Sequence, residues 1–488
     1  MNLSEEQEYA FDKFRKGENV VITGPGGTGK SKLIQNFVNY GLSIKKNIQV
    51  TALTGCAALL LGVNAKTIHS WSGIRLAKGK KEEIINQAMK SKKVKKNWIS
   101  TKTLIIDEAS MMSVKIFDLL NELGKAIRNS TKAFGGIQIV LTCDFYQLPP
   151  VESFNEPDTK KFCFESKDWF NIFPVENHIV LKKIFRQCDD EYIEILNEIR
   201  VGELSEKNKN VLKKYLNREY KKDENDGTAL TKLFPTRSRV DAVNNAMFKE
   251  IGDESIKYEL KKHTDNLLYT DSGKAIEQDK LEMCNGLSSY DIENEFKQLE
   301  NNCQAISELE LKIGATVMCN ANIDMENGIC NGSQGIIIDL VGEKRLPKVK
   351  FRNGTIMIVT RHHWQSEQYP VLSISQFPLQ LAWALTIHKI QGTTLKMAQM
   401  DIGKDIFEYG QTYVALSRIE SLEGLYLSNF MPDRIRANPK VKEFYLKIDH
   451  PITFPEKKTV LNFEEFEYKE DNKDSNTKII DLKNIRLK

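Results

Sequence analysis

Residues 24–31, GPGGTGKS, set Gly24, Gly26, Gly27 and Gly29 around Thr28 and end on Lys30-Ser31. They follow the β-type run VVIT and precede a helix-like stretch, which is the context that G-x-x-x-x-G-K-[ST] requires. Glycines allow a tight loop whose backbone N–H groups converge on phosphate oxygens, and the helix N-terminus adds partial positive charge. Lys30 would reach the β- and γ-phosphates and Ser31 would hold Mg²⁺. The ligand that such a loop takes is a nucleoside triphosphate.

A second pair able to do chemistry is Asp107-Glu108, at the end of TLIIDEAS. Asp107 suits a magnesium shell, and a carboxylate beside it can orient or deprotonate water, so the pair points to hydrolysis. The plainer reading of Asp-Glu at a strand–helix junction is a helix cap. Hydrolysis also calls for cations near the γ-phosphate. Arg186 in LKKIFRQ and Arg418 in TYVALSRIES are candidates by context. The run IVLTCDFYQLPPV, 139–151, poses a question of its own: a buried strand delivers Asp144, two aromatics and Gln147 to an exit closed by Pro149-Pro150.

These residues need a scaffold. Short β-type runs at 20–23, 48–51, 103–106 and 137–142 alternate with helix-like stretches such as 30–40, where Leu33, Ile34, Phe37 and Val38 share a face. That alternation predicts an α/β fold with a mostly parallel sheet covered on both sides. The lysine-rich segment 75–96 interrupts it and reads as a solvated surface or a DNA-facing one. The pattern turns helical at 191–200 and β-like at 229–234, and shows no clear period over 250–310. Short strands return over 313–359, and PKVKFRNGTIMIVT predicts a hairpin with a two-residue Asn353-Gly354 turn, hence a small antiparallel barrel or sheet. Parallel-type signals resume at 379, and the charged segment 455–488 is expected to be loosely ordered.

The totals set bounds. A chain of 488 residues, 41% hydrophobic and 28% charged, has ample core for roughly three domains of about 150 residues each. A net charge of +4 neither requires nor excludes a nucleic acid. The eight cysteines are scattered without metal-ligand spacing, which argues against a disulfide framework or a zinc site and for reduced thiols. With an acidic start, MNLSEEQEYAFDKF, and no apolar run of membrane-spanning length, a soluble intracellular protein is expected.

Taken in order, these motifs resemble the PIF family (petite integration frequency helicases) and its RecD-like relatives in superfamily one, over about residues 3–430. LSEEQ is similar to the family's adenine-reading motif, with Gln7. After the phosphate loop come TALTGCAALLLG and KTIHSWSGI, then LLNELGKAIRNSTKAFGGIQIVLTCDFYQLPPV, FRQ, EYIEILNEIRVGE, LFPTRSRVDAVNNAM, LTIHKIQGTTL and YVALSR. Cys143, Ile390 and Trp71 depart from the usual glycine, serine and phenylalanine.

The resemblance implies two RecA-like motor domains with ATP and Mg²⁺ between them, a Src-homology-3-like β-barrel insertion and a small wedge insertion. The first motor would take residues 1–61 and 99–176, the wedge 62–98, the second motor 177–260 and 370–454, the barrel-containing insertion 261–369, and a charged tail 455–488. Arg186 and Arg418 would then be fingers reaching a nucleotide held by the first motor, with Gln391 and Gly392 also at the nucleotide. Gln147 would contact the γ-phosphate while Phe145 and Pro149 lie towards the DNA strand. Thr54, Thr67, His69, His388 and Lys389 could bond phosphates of that strand, and Trp71 or Phe145 could stack on bases. The implied activity is ATP-dependent unwinding with 5′-to-3′ travel by a monomeric motor. Its partners would be single-stranded and forked or tailed duplex DNA, with replication or recombination proteins beside them and no membrane. The rival readings are a RecD-like translocase that does not unwind alone, and an ATP-regulated single-strand binding module.

Overall fold

The first sheet forms where the sequence is most continuously apolar. In the computed structural model its strands are β1 (Val20–Thr23), β2 (Ile48–Ala52), β3 (Lys66–Thr67), β4 (Thr103–Asp107), β5 (Gln138–Cys143) and β6 (His178–Val180). They run parallel in the order β3-β2-β4-β5-β1-β6. Every residue of β1, β4 and β5 is buried, as expected of strands covered on both faces. The structure describes residues 3–61, 63, 65–75, 77–153, 155–220, 230–252, 254–264, 284, 286–302, 305–324, 326–366 and 369–449. The charged segment 455–488 lies outside them.

A second all-parallel sheet orders Ala384–Thr386, Lys232–Phe234, Ala398–Ile402 and Leu425–Phe430. Helix Asp190–Val201 sends Tyr192, Ile195, Leu196 and Ile199 into the core beneath it, and helix Gln411–Leu416 sends Val414, Ala415 and Leu416. Between the two halves of this sheet the chain builds a five-stranded antiparallel sheet in the order Ile356–Ile358, Leu346–Phe351, Gln334–Val341, Thr316–Cys319, Leu379–Leu381. Its edge strands do not pair with one another among the described residues, so the described pairing is that of a sheet and not of a closed barrel.

The structure departs from the sequence reading in four places. Strand β6 joins the first sheet, so that sheet runs past residue 176. The five-stranded sheet includes Leu379–Leu381, beyond residue 369. Helix Pro439–Ile448 packs Val441, Phe444 and Ile448 into the first core, far from the sheet that precedes it in sequence. Each such burial contributes about 1.5–3 kcal/mol, enough to hold the helix there. Finally, the 346–358 hairpin turns through three residues. Phe351 donates to Thr355 O (2.8 Å), and of the Asn-Gly pair only Gly354 takes a positive φ, +89°. Asn353 instead accepts from the Thr355 N–H (3.0 Å), which favours a type I turn closed by glycine over the mirror-image two-residue turn.

The lysine-rich segment folds into helices Lys81–Lys90 and Lys92–Ser100. Ile84, Ala88, Val94 and Trp98 face the first core, so its lysines form the solvated side.

Candidate active site

The phosphate loop lies at the carboxyl end of β1, Asp107 closes β4, and Asp144 follows β5. All three stand in the crevice where parallel sheets bind ligands. Gly29, at φ +79°, starts helix Lys30–Ser43 and offers no side-chain cap, which leaves the first N–H groups of the helix for an anion. Ser31 is exposed at this mouth. Lys30 donates to its own loop, to Gly24 O (2.7 Å) and Pro25 O (2.9 Å). Burial of its ammonium pulls its pKa down, while Asp144, Glu108 and Asp107 push the other way. Gln7 caps helix Glu5–Arg15 and donates from Nε2 to Thr28 O (3.0 Å), so it grips the loop itself.

Asp107 accepts from the Thr142 hydroxyl, and burial together with the neighbouring Glu108 charge pushes its pKa up to about 6. Glu108 sits in the left-handed region, φ 54°, which is uncommon outside glycine and gathers at functional sites. It makes no side-chain cap bond, so the helix-cap reading fails here. Its Oε2 accepts instead from Gln391 Nε2 (3.1 Å), and the same amide approaches Gln147 Oε1 (3.4 Å). A methyl group on Gly392 would lie 3.8 Å from Glu108 Oε1. Two adjacent carboxylates and a loop hydroxyl are oxygen donors that fit Mg²⁺, which takes few protein ligands beside substrate phosphates.

Both candidate arginines meet this loop. A methyl group on Gly26 would lie 3.7 Å from Arg186 Nη1 and equally far from Arg418 Nη2. Arg186 donates to Ser417 O (3.1 Å). Arg418 is 2% exposed and held by Val414 O (3.0 Å) and Ser417 Oγ (2.9 Å). Burial and then the charge of Arg186 lower the Arg418 pKa to about 10. Two cations that disfavour each other, fixed at one anion-binding loop, suit a polyanion.

The expected DNA-facing residues divide. Thr54, His388, Lys389 and Gln391 line one cavity of about 260 Å³, and Thr54, His69 and Pro150 line a second of about 230 Å³. Thr54 and Thr67 also cap short helices, accepting from Ala57 and Ser70 N–H (3.2 Å each). Burial lowers the pKa values of His69 and His388. Pro149 is buried. Phe145 does not face this groove. It is 1% exposed, edge-on to Phe164 (4.9 Å) and Phe444 (5.2 Å), because the helix Pro439–Ile448 closes over it. Trp71 is likewise 1% exposed and packed on Trp98 (4.8 Å), so its ring is spent on the core.

Several residues at the seam are not singled out by the sequence reading, although Arg200 lies in EYIEILNEIRVGE and Tyr413 in YVALSR. Arg200 binds both Asp144 oxygens, with Nη2 to Oδ1 at 2.9 Å and Nε to Oδ2 at 3.2 Å, and lies over the Tyr146 ring (4.5 Å). Tyr413 reaches the phosphate loop, and Phe407, 57% exposed, stacks on His388 (6.1 Å) beside the first cavity. Nothing short of the fold brings them together.

The comparisons point one way. The family model for PIF1-like helicases matches residues 2–210, and that for the 2B domain of the DNA helicase Pif1 matches residues 295–340. The ATP-dependent DNA helicase PIF1 of Xenopus laevis is 34% identical over 448 residues, covering 91% of this chain and 64% of the relative. This chain therefore spans a little under two thirds of the length of the curated relatives that head the comparison. Among solved structures, a Pif1 helicase from Candida albicans is 34% identical with a TM-score of 0.76, covering 92% of this chain and 100% of that one. A Pif1 helicase from Bacteroides, in complex with ADP-AlF3 and single-stranded DNA, is 25% identical with a TM-score of 0.63 over 92% of this chain and 97% of that one.

Proposed function

This chain belongs to the PIF1-like helicase family, and from that premise we propose that it is an ATP-dependent DNA helicase moving 5′-to-3′ along single-stranded DNA and unwinding duplex ahead of it. The observation that carries the reading is the approach of Arg186 and Arg418 to Gly26 of the phosphate loop, one from the segment following the first sheet and one from the second. A site completed only when two RecA-like domains meet is a motor's site, since its geometry changes with the nucleotide.

The roles follow from the contacts. Lys30 exchanges its two carbonyl partners for β- and γ-phosphate oxygens. Ser31 and Asp107 would hold Mg²⁺, which when bound neutralises charge on the β- and γ-oxygens. Glu108, its carboxylate fixed by Gln391, orients the attacking water. Arg186 and Arg418 stabilise the charge that develops at the γ-phosphate, and Gln147 senses that phosphate through the Gln391 amide it shares with Glu108. Thr54, His69, His388 and Lys389 hold the phosphates of the strand and position it without reading its sequence. Fork or tailed-duplex structures are the proposed substrates.

The test is unwinding of 5′-tailed against 3′-tailed duplexes with ATP, using Lys30→Ala as the inactive control. Unwinding confined to the 5′-tailed duplex and lost in Lys30→Ala is expected. ATP turnover without strand separation would instead favour a translocase.

A further inference from the structure

The hydroxyl of Tyr413, carried by the second core, crosses the seam to two groups at the edge of the first sheet. It accepts from the Gly26 N–H (2.9 Å) and donates to Asp144 Oδ2 (3.0 Å). The acceptor is wholly buried, and Arg200 grips both of its oxygens. Tyr445, on the helix that crosses back to the first core, approaches the same carboxylate (3.5 Å) and bonds the Thr23 hydroxyl of β1 (2.5 Å). Burial, reinforced by the Asp144 charge, raises the Tyr413 pKa, so the phenol keeps the proton that it donates.

The position of this side chain in its helix gives the contact its use. Helix Gln411–Leu416 begins at Gly410, φ +71°, where a methyl group would lie 2.3 Å from Tyr146 O and 2.7 Å from Gln147 O. Five residues after Tyr413 the chain reaches Arg418, whose Nη2 also stands at Gly26. One short segment therefore meets the Gln147 backbone with its start and the phosphate loop at Gly26 with both its middle and its end. Asp144 lies three residues before Gln147, and the Gln147 N–H donates to Asp144 O (2.9 Å).

We propose that Tyr413 is a positioning residue for hydrolysis: its hydroxyl, bridging Gly26 N–H and the Asp144 carboxylate, sets the stance of Gln147 and Arg418 towards the γ-phosphate. It acts through Asp144 and the loop and does not itself react. The inference rests on the helicase reading and deepens it.

Tyr413→Phe removes the bridge and keeps the buried ring. The expected result is a fall of about tenfold in the kcat of DNA-stimulated ATP hydrolysis, the size of one hydrogen bond to a charged group, with the KM for ATP within about twofold. Asp144→Asn should lower kcat in the same way, and the Tyr413→Phe/Asp144→Asn double variant should be no slower than the slower single variant. A kcat equal to wild type, a matching rise in KM, or losses that multiply in the double variant would each overturn the proposal. A wild-type chain that fails to hydrolyse ATP with single-stranded DNA would sink the helicase reading itself, whereas normal wild-type turnover with an unaffected Tyr413→Phe would sink this inference alone.

Discussion

The seam proposed to hold the nucleotide and the groove proposed to hold the strand are built on opposite terms. At the seam, Asp144, Tyr413 and Gln391 are buried and bonded across domains, Arg418 is buried and held by its own segment, and each charge has a fixed partner or a fixed opponent. Along the groove, Lys389 is exposed, and Thr54, His69 and His388 are half-buried, Thr54 already serving a local helix cap. A compact triphosphate rewards preorganised groups in a dry site, because their interaction is strong there and no rearrangement is needed during reaction. A strand bound without regard to sequence needs only charges and hydroxyls that can slide from one phosphate to the next. The difference teaches where mutation should be catastrophic and where it should be graded.

Substitutions can break or sharpen that contrast. The largest effect is expected at the seam: Arg418→Ala should cut DNA-stimulated ATP hydrolysis roughly 10³-fold or more while nucleotide affinity, read by a fluorescent ADP analogue, changes little. An ordinary rate would mean that its buried guanidinium only packs. Next comes a residue that belongs to neither region. Phe145→Ala should destabilise the first core by about 3–5 kcal/mol in denaturant titration, and the protein that remains folded should bind single-stranded DNA normally. Lost DNA affinity with stability intact would return Phe145 to the groove. The smallest effect is expected from Lys389→Ala, a severalfold weakening of single-strand binding with the slope of log affinity against log salt reduced by about one. A seam-sized collapse from that single exposed lysine would erase the distinction.

The same contrast explains what could be read before folding. The phosphate loop and Asp107-Glu108 are legible because backbone N–H groups and strand ends do their work, and both are local in sequence. The parallel sheets were legible too, since β1, β4 and β5 are apolar throughout. Arg186 and Arg418 stood out only by their motif surroundings, because a finger is defined by a loop far away in the chain. Phe145 and Trp71 misled for a physical reason: an aromatic next to a ligand motif looks the same whether it stacks on a base or fills a core. Only the return of helix Pro439–Ile448 over Phe145, and the meeting of Trp71 with Trp98, decide the matter. The partner of Arg200, which lies within EYIEILNEIRVGE, and that of Tyr445 were hidden for the converse reason, since an arginine and a tyrosine on helix faces announce no partner. Beyond the expected boundaries at 176 and 369, β6 and Leu379–Leu381 pair with strands that the chain had already left, which no local pattern announces.

The most direct test is the structure of this protein with single-stranded DNA, Mg²⁺, ADP and aluminium fluoride. Our account expects the fluoride group at Gly26 with the Arg186 and Arg418 guanidinium groups both in hydrogen-bonding contact with it. A nucleotide seated in the loop while either guanidinium points elsewhere would contradict it.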